Sequence, residues 1–250
     1  MSPTVPALEI TDLTHRYPDG SEALRRVSLT IHEGEGVGLV GPNGAGKTTL
    51  LAYAAGALIN PAVKVFGEPV THRTAARARR LVGLVFQHAD DQLFMPTVRD
   101  DVAFGPLNLG LSAEDVQRRV NEAVAAVGLG PDILPRQPHR LSGGERRSAA
   151  LATVLAMRPR MLALDEPTND LDPRARRALL AVLEQWDATR LVASHDLEAI
   201  LALCARCVVL DAGRVVADGP TRELLADEAL MEAHGLEVPL SIRLAVSSAS

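Results

Sequence analysis

The segment GPNGAGKTT at residues 41–49 restricts this chain more than any other. It follows the apolar run GVGLV at 36–40 and precedes a helical pattern, so it turns a buried strand into a helix. Its spacing, G-x-x-x-x-G-K-[ST], is that of a phosphate-cradling loop. Gly41, Gly44 and Gly46 let the backbone curl until several N–H groups point at one spot, and the following helix adds its positive end. A polyphosphate is therefore expected on Gly41, Pro42, Asn43, Gly44, Ala45, Gly46, Lys47, Thr48 and Thr49. Lys47 is placed to neutralise charge on the β- and γ-phosphates, and the Thr48 hydroxyl to complete the shell of a Mg²⁺ ion.

Further short apolar runs at 81–86 (LVGLVF), 161–164 (MLAL), 191–193 (LVA) and 207–210 (CVVL) read as buried strands. Between them lie helical patterns, such as Ala175, Leu179, Val182, Leu183 and Trp186, whose spacings of three and four put them on one face. This alternation predicts a parallel sheet. Ahead of it, residues 8–14 and 27–32 alternate apolar and polar around a PDG turn at 18–20, as a small antiparallel β lobe would. Residues 88–140 hold Pro96, Pro106, Gly110 and one helical stretch, 113–127, introduced by a Ser112 cap, and read as a helical insertion. Residues 208–210 and 214–217 flank a DAG turn and predict a hairpin, while the last dozen residues, ending SSAS, are expected to fray.

A chain of 250 residues suits one domain with a small inserted lobe, and 47% hydrophobic with 23% charged residues excludes disordered and coiled-coil classes. The net charge is −5, and one Trp, two Tyr and four Phe leave few stacking platforms, so no nucleic-acid partner is expected. The two cysteines, Cys204 and Cys207, are too few for a disulfide framework and fit a reducing cytosol. Their C-x-x-C spacing invites a redox or zinc reading, but no second pair exists and Cys207 opens a strand. The N-terminal MSPTVPALEITDL lacks a basic start followed by an apolar run, so no signal peptide is expected. The most apolar stretch, 50–59, stops at Asn60 and Pro61, short of the roughly 20 residues of a membrane helix, which predicts a soluble or peripheral protein. Asp90, Asp91, Asp100 and Asp101 read as caps and exposed acids rather than a metal site, and Arg73, Arg77, Arg79 and Arg80 as a solvated helix face.

Two more motifs carry chemistry. RMLALDEP at 160–167 puts Asp165 and Glu166 at the carboxyl end of a buried strand, where Asp165 can serve the metal and Glu166 can polarise an attacking water. LSGGE at 141–145 has the S-x-x-E spacing of a capping box, yet Gly143 and Gly144 each cost a first helical turn roughly 1 kcal/mol against Ala. Backbone must approach something closely there, and a bare helix N-terminus with the Ser142 hydroxyl makes a second anion site. One nucleotide can hardly use both sites of a single chain, which suggests that the second serves a nucleotide held by another copy.

The ordered set GPNGAGKTT, Gln87, LSGGE, LALDEP, Leu171–Asp172 and His195 closely resembles an ATP-binding-cassette ATPase, over almost the whole chain. The resemblance implies an α/β P-loop NTPase (RecA-like) fold: a parallel-sheet core with an N-terminal antiparallel β lobe and an inserted helical lobe. The expected divisions are β lobe and phosphate-loop core at 1–87, helical lobe at 88–157, the rest of the core at 158–235 and a short tail at 236–250. It also implies ATP and Mg²⁺ as cofactors, and a head-to-tail pair in which Ser142, Gly143 and Gly144 of one copy cap the ATP on the other's loop. Gln87 is implied to touch Mg²⁺ and the water, His195 to sense the γ-phosphate, Asp172 to contact the second copy, and Tyr17 to stack on adenine. Glu145 departs from the Gln of many relatives, a harmless change if it caps the helix and points away from phosphate.

ATP hydrolysis alone does nothing useful in such a chain, so its stroke is expected to pass to separate integral membrane subunits, with the chain on the cytoplasmic face of the membrane. The stretch 86–106 and HGLEVP at 234–239 resemble the ATPases of energy-coupling-factor importers, especially the cobalt and nickel branch. A vitamin or another small solute as cargo, and a soluble cassette without a membrane partner, stay open as alternatives.

Overall fold

The computed structural model describes residues 5–186 and 188–247. The hairpin β1 (Leu8–Arg16) and β2 (Glu22–Ile31) closes through Tyr17 and Ser21 around the expected turn. β3 (Gly36–Val40) runs into α1 (Lys47–Ala54) through the glycine-rich loop. β4 (Asn60–Val65) and β5 (Glu68–Val70) then join the hairpin in a four-stranded antiparallel sheet ordered β2-β1-β4-β5. The β lobe thus takes half its strands from after the loop, an addition that no alternating pattern around Asn60 and Pro61 announces.

α2 (Ala75–Leu81) leads into β6 (Val82–Val85) at the edge of the second sheet. The chain then leaves that sheet for α3 (Val98–Asn108), α4 (Ala113–Ala126) and α5 (Gly143–Leu155) before returning as β7 (Met161–Asp165). Where the prolines suggested one helix in this insertion, α3 is an addition. Pro106 lies in its last turn, so the intrahelical bond that its missing N–H forgoes is lost close to the helix end, and Thr97 caps its start by accepting from the Asp100 N–H at 3.2 Å. Asp101 corrects the reading of four exposed acids: it is buried and accepts from the Phe94 and Met95 N–H groups, both at 3.0 Å. Burial raises its pKa above the ordinary aspartate value against those two bonds.

α6 (Pro173–Gln185), β8 (Thr189–Ala193), α7 (Leu197–Leu203) and the hairpin β9 (Arg206–Asp211) with β10 (Arg214–Pro220) complete a six-stranded sheet ordered β10-β9-β3-β8-β7-β6. All pairs in it are parallel except β9 with β10. Alternate residues of each central strand face opposite ways, so both faces are apolar. Leu39, Ala163 and Leu191 pack with α1 and the β lobe, while Leu162, Leu164 and Val192 pack with α5, α6 and α7. The chain ends in α8 (Thr221–Ala226), α9 (Glu228–Ala233) and α10 (Leu240–Ser247). α10 overturns the expected fraying through residue 247: Ile242 is buried, and Ser241 donates to both carboxylate oxygens of Glu198, at 3.0 Å from its N–H and 2.7 Å from its hydroxyl. Residues 248–250 of the expected tail lie outside the described residues.

Cys204 and Cys207 are both buried, and burial pushes each thiol up to about 12. Neither is poised as a thiolate. A thiol reagent at neutral pH is expected to label neither cysteine in the native protein and both after denaturation; prompt native labelling counts against this packing. On β6, a methyl added at Gly83 meets Val154 Cγ1 at 2.2 Å. Gly83→Ala is therefore expected to cost roughly 1–3 kcal/mol by overpacking β6 against α5, read as a lower melting temperature.

Candidate functional site

Every strand that leads into the candidate site delivers it at a carboxyl end, where the parallel sheet switches from β3–β9 to β3–β8 pairing. The phosphate loop curls through positive φ at Gly41 (149°), Gly44 (78°) and Gly46 (106°). Side chains have no room at two of these: a Cβ at Gly41 lies 1.9 Å from the Leu210 carbonyl oxygen, and one at Gly46 lies 2.3 Å from that of Ala23. Lys47 folds back along the loop, its Nζ donating to the carbonyls of Gly41 at 2.7 Å and Pro42 at 3.0 Å. Burial lowers its pKa, opposed by the charges of Glu166 and Asp165.

An open cleft of about 610 Å³ begins at this loop. Asn43, Gly44, Ala45, Gly46, Lys47, Thr48 and Thr49 line it, and Tyr17, Gln87, Asp165, Glu166 and His195 come to it from four other segments. Gly41 and Pro42 shape the loop without lining the cleft. Asp165 ends β7, buried, with its pKa raised by burial and by neighbouring Glu166, and lowered by a Thr48 hydrogen bond and by Lys47 and Arg147. Thr48, Asp165 and Gln87 offer a hydroxyl, a carboxylate and an amide, the hard oxygen donors that suit Mg²⁺.

Glu166 sits next in the chain at φ 46°, a left-handed conformation rare for a non-glycine residue, and is only 6% exposed. Its carboxylate accepts from the Ser194 hydroxyl at 3.0 Å and from the His195 N–H at 3.1 Å. The His195 ring, held above it at the end of β8, places Nδ1 2.7 Å from Glu166 Oε2. A carboxylate and an imidazole in contact at the mouth of a phosphate cleft can orient water and exchange a proton. Tyr17, 42% exposed, donates or accepts through its hydroxyl at 2.8 Å from Thr49 Oγ1, and His15 packs edge-on against its ring with centroids 4.5 Å apart.

Ser142, Gly143 and Gly144 are not brought to this cleft. They open α5 elsewhere, where Gly143 lines a separate depression with Gln87 and Asp170. The capping box is complete: Ser142 Oγ accepts from the Glu145 N–H at 3.2 Å, and Glu145 accepts from the Ser142 N–H at 2.8 Å. The Ser142 N–H and hydroxyl, both donating to its carboxylate, lower the Glu145 pKa, and the side chain is spent on the helix start rather than on the depression. The two glycines separate in their reasons. Gly144 is pressed on α6, a Cβ there meeting Ala175 Cβ at 2.9 Å, whereas nothing lies within 4 Å of one at Gly143. Asp172 is exposed and caps α6, accepting from the N–H groups of Arg174 and Ala175.

Residues 24–169 match the sequence model of the ABC transporter family. The chain belongs to the ABC transporter family. It is an ATP-binding subunit of that family and an ATPase. The energy-coupling factor transporter ATP-binding protein EcfA of Carboxydothermus hydrogenoformans is 44% identical over 243 residues, covering 95% of this chain and 89% of that one. Among solved structures, cbiO1 from Clostridium perfringens, part of the ABC transporter complex cbiONQ, superposes with a TM-score of 0.78 at 30% identity, covering 96% and 98% of the two chains. The ATP-binding cassette MJ0796, a dimer in a post-hydrolysis state bound to ADP and Pi, superposes with a TM-score of 0.77 at 26% identity over 86% and 98%.

Three residues around the cassette's site carried no sequence signal. Ser194 follows an apolar run as an ordinary strand end, and its bond to Glu166 comes only from the adjacency of β7 and β8. His15 meets the site's edge through the Tyr17 ring and is held by Tyr53, its Nδ1 2.8 Å from that hydroxyl. Arg147 stands in the pair Arg146–Arg147 after LSGGE, which no motif singles out, and it is 5% exposed. Gly46→Ala is expected to weaken ATP binding by at least about tenfold in a fluorescence titration, because the loop must shift to admit the methyl. Gly143→Ala, with open space and helical backbone, is expected to melt no lower than the parent, as Ala gains up to about 1 kcal/mol over Gly in a helix.

Proposed function

We propose that two copies of this chain close head to tail over two ATP molecules, each held on one copy's phosphate loop and capped by Ser142, Gly143 and Gly144 of the other. The observation that carries this reading is the separation of two anion-binding helix starts in one chain, the cleft at α1 containing none of residues 142–144. The Ser142 hydroxyl at that helix start supports it, as a donor that can turn from the Glu145 carboxylate to a phosphate oxygen. The dimeric state named for MJ0796, with ADP and Pi, supports it too.

In this reading Lys47 and the loop N–H groups hold the phosphates, and Thr48, Gln87 and Asp165 hold Mg²⁺, whose charge relieves that of the triphosphate when bound. Glu166 orients the water for in-line attack, His195 beside it answers to the γ-phosphate, Asp172 faces the second copy, and Tyr17 offers its ring to the base. Hydrolysis frees the γ-phosphate as Pi, and its departure removes negative charge that both copies grip, so the pair parts. The expected divisions at 87/88 and 157/158 serve this motion by setting α5 in a helical lobe with α3 and α4, and that at 235/236 sets off the tail.

Closure drives separate membrane subunits of an importer, with the chain held peripherally on the cytoplasmic face. The relatives named as an energy-coupling factor ATP-binding protein and as part of an ABC transporter complex support such partners. Cobalt or nickel ion is the cargo we favour, on the resemblance of residues 86–106 and 234–239 to that branch. Among the described residues no helix is long and apolar enough to cross a membrane.

Glu166→Gln is expected to keep ATP binding, run as a dimer on size exclusion in ATP, and lose about 10²–10⁴ of turnover. Unimpaired turnover removes Glu166 from the mechanism. Detergent extracts are expected to yield the chain with integral membrane subunits, and cells carrying the variant to stop cobalt or nickel uptake. Recovery of the chain alone from the soluble fraction favours a soluble cassette, and loss of uptake of a different solute replaces the cargo.

A further inference from the structure

Arg147 lies in the second turn of α5, the helix whose N-terminus carries residues 142–144. It is 5% exposed, and its guanidinium meets backbone carbonyls rather than a carboxylate: Nη1 donates to Phe86 O at 2.8 Å and Nη2 to Gln87 O at 2.6 Å. Nη2 also approaches Asn169 O at 3.4 Å. Asn169 belongs to a tight turn that begins at Glu166, whose carbonyl accepts from the Asn169 N–H at 3.1 Å. One side chain therefore touches the strand end that presents Gln87 and the turn that presents Glu166.

A second strut runs the same way. Gln92 Nε2 donates to Ala150 O on α5 at 2.6 Å, while its Oε1 accepts from the Phe86 N–H at 3.3 Å. Both backbone groups of Phe86 are thereby tied to α5 by side chains, and the Gln87 carbonyl by Arg147 alone among the bonds found. A buried cation with only dipoles as direct partners is costly, so its position is narrowly defined by those carbonyls. Its planar fork spans two carbonyls that a single ammonium cannot bridge in the same geometry.

We propose that Arg147 is a positioning residue that couples the two nucleotide contacts of one chain, locking Gln87 and the Glu166 turn, which face the chain's own ATP, to the helix start that faces the other copy's ATP. The proposal rests on the head-to-tail reading above. Movement of α5 on engaging the partner's phosphate is transmitted through the guanidinium to the Phe86–Gln87 backbone, and closure at one site readies the residues of the other. Arg147 spends its guanidinium on carbonyls of its own chain and does not line the phosphate-loop cleft. Its removal therefore acts on turnover and closure, leaving capture of ATP by the phosphate loop in place.

The test uses the full chain and MgATP. Arg147→Met keeps the stem and removes the fork; Arg147→Lys keeps the charge and one donor group. With Arg147→Met, turnover at saturating ATP is expected to fall at least about tenfold while the equilibrium affinity for ATP stays within about threefold, with Arg147→Lys intermediate. In a Glu166→Gln background, the Met variant is expected to need more ATP than its parent to form the dimer. Turnover within about twofold of wild type, or affinity and turnover falling together with the melting temperature, overturns the proposal. If Arg147→Met does not fold, the Lys variant carries the same comparison. Failure of the Glu166→Gln parent to pair in ATP overturns the head-to-tail reading and this proposal together; a parent that pairs beside an unaffected Arg147→Met overturns this one alone.

Discussion

The phosphate loop keeps its shape because backbone from two other parts of the chain presses on it. The β9–β10 turn sits between the loop and β2: the Gly213 N–H donates to Ala45 O at 3.1 Å, and its carbonyl accepts from the Arg25 N–H at 2.7 Å. From one side the Leu210 carbonyl closes on Gly41, and from the other the Ala23 carbonyl closes on Gly46. Within the loop the Ala45 N–H donates to Pro42 O at 3.2 Å, and a loop that keeps its other N–H groups for a ligand needs its conformation imposed from outside. The β lobe and the C-terminal hairpin supply that constraint, which ties residues 23 and 213 to the same few atoms as Lys47.

Charge at the site is arranged on the same scaffold. Burial works against both signs at once, lowering the Lys47 pKa and raising that of Asp165, and each partly relieves the other. Glu166 is treated differently. It is buried too, but is met by a hydroxyl, a backbone N–H and an imidazole, all at the ends of β7 and β8. Two adjacent carboxylates thus receive unlike surroundings because the strand end turns sharply between them, with Glu166 at φ 46°. That division suits a metal-side acid and a water-side base.

The parallel core was legible in the sequence because buried parallel strands are written as short apolar runs, and five such runs fell on β3, β6, β7, β8 and β9. The phosphate loop, Asp165 and Glu166 were legible as local motifs with their flanks. α3 was hidden by Pro106, whose position in a last turn cannot be told from a helix breaker by composition. α10 was hidden by a weak serine-rich end, and it forms because its Ile242 is buried in the core and Glu198 of α7 accepts from its Ser241. Asp101 was misjudged, and Arg147 gave no signal, for a common reason: the burial of a charged side chain is not legible until the backbone groups that solvate it are placed around it.

The sequence by itself determined the chemistry on offer: which residues are suited to phosphate, which are suited to a metal or a water, and that LSGGE writes a second glycine-rich helix start. Those are local properties, carried by residue type and spacing within a single turn of chain. Tertiary structure alone decided that Tyr17, Gln87, Glu166 and His195 share one cleft, that residues 142–144 do not, and that Arg147 joins α5 to the backbone of Gln87. These are contacts between segments up to 178 residues apart, from Tyr17 to His195, and they arise from strand order and helix packing, which no spacing along the chain encodes.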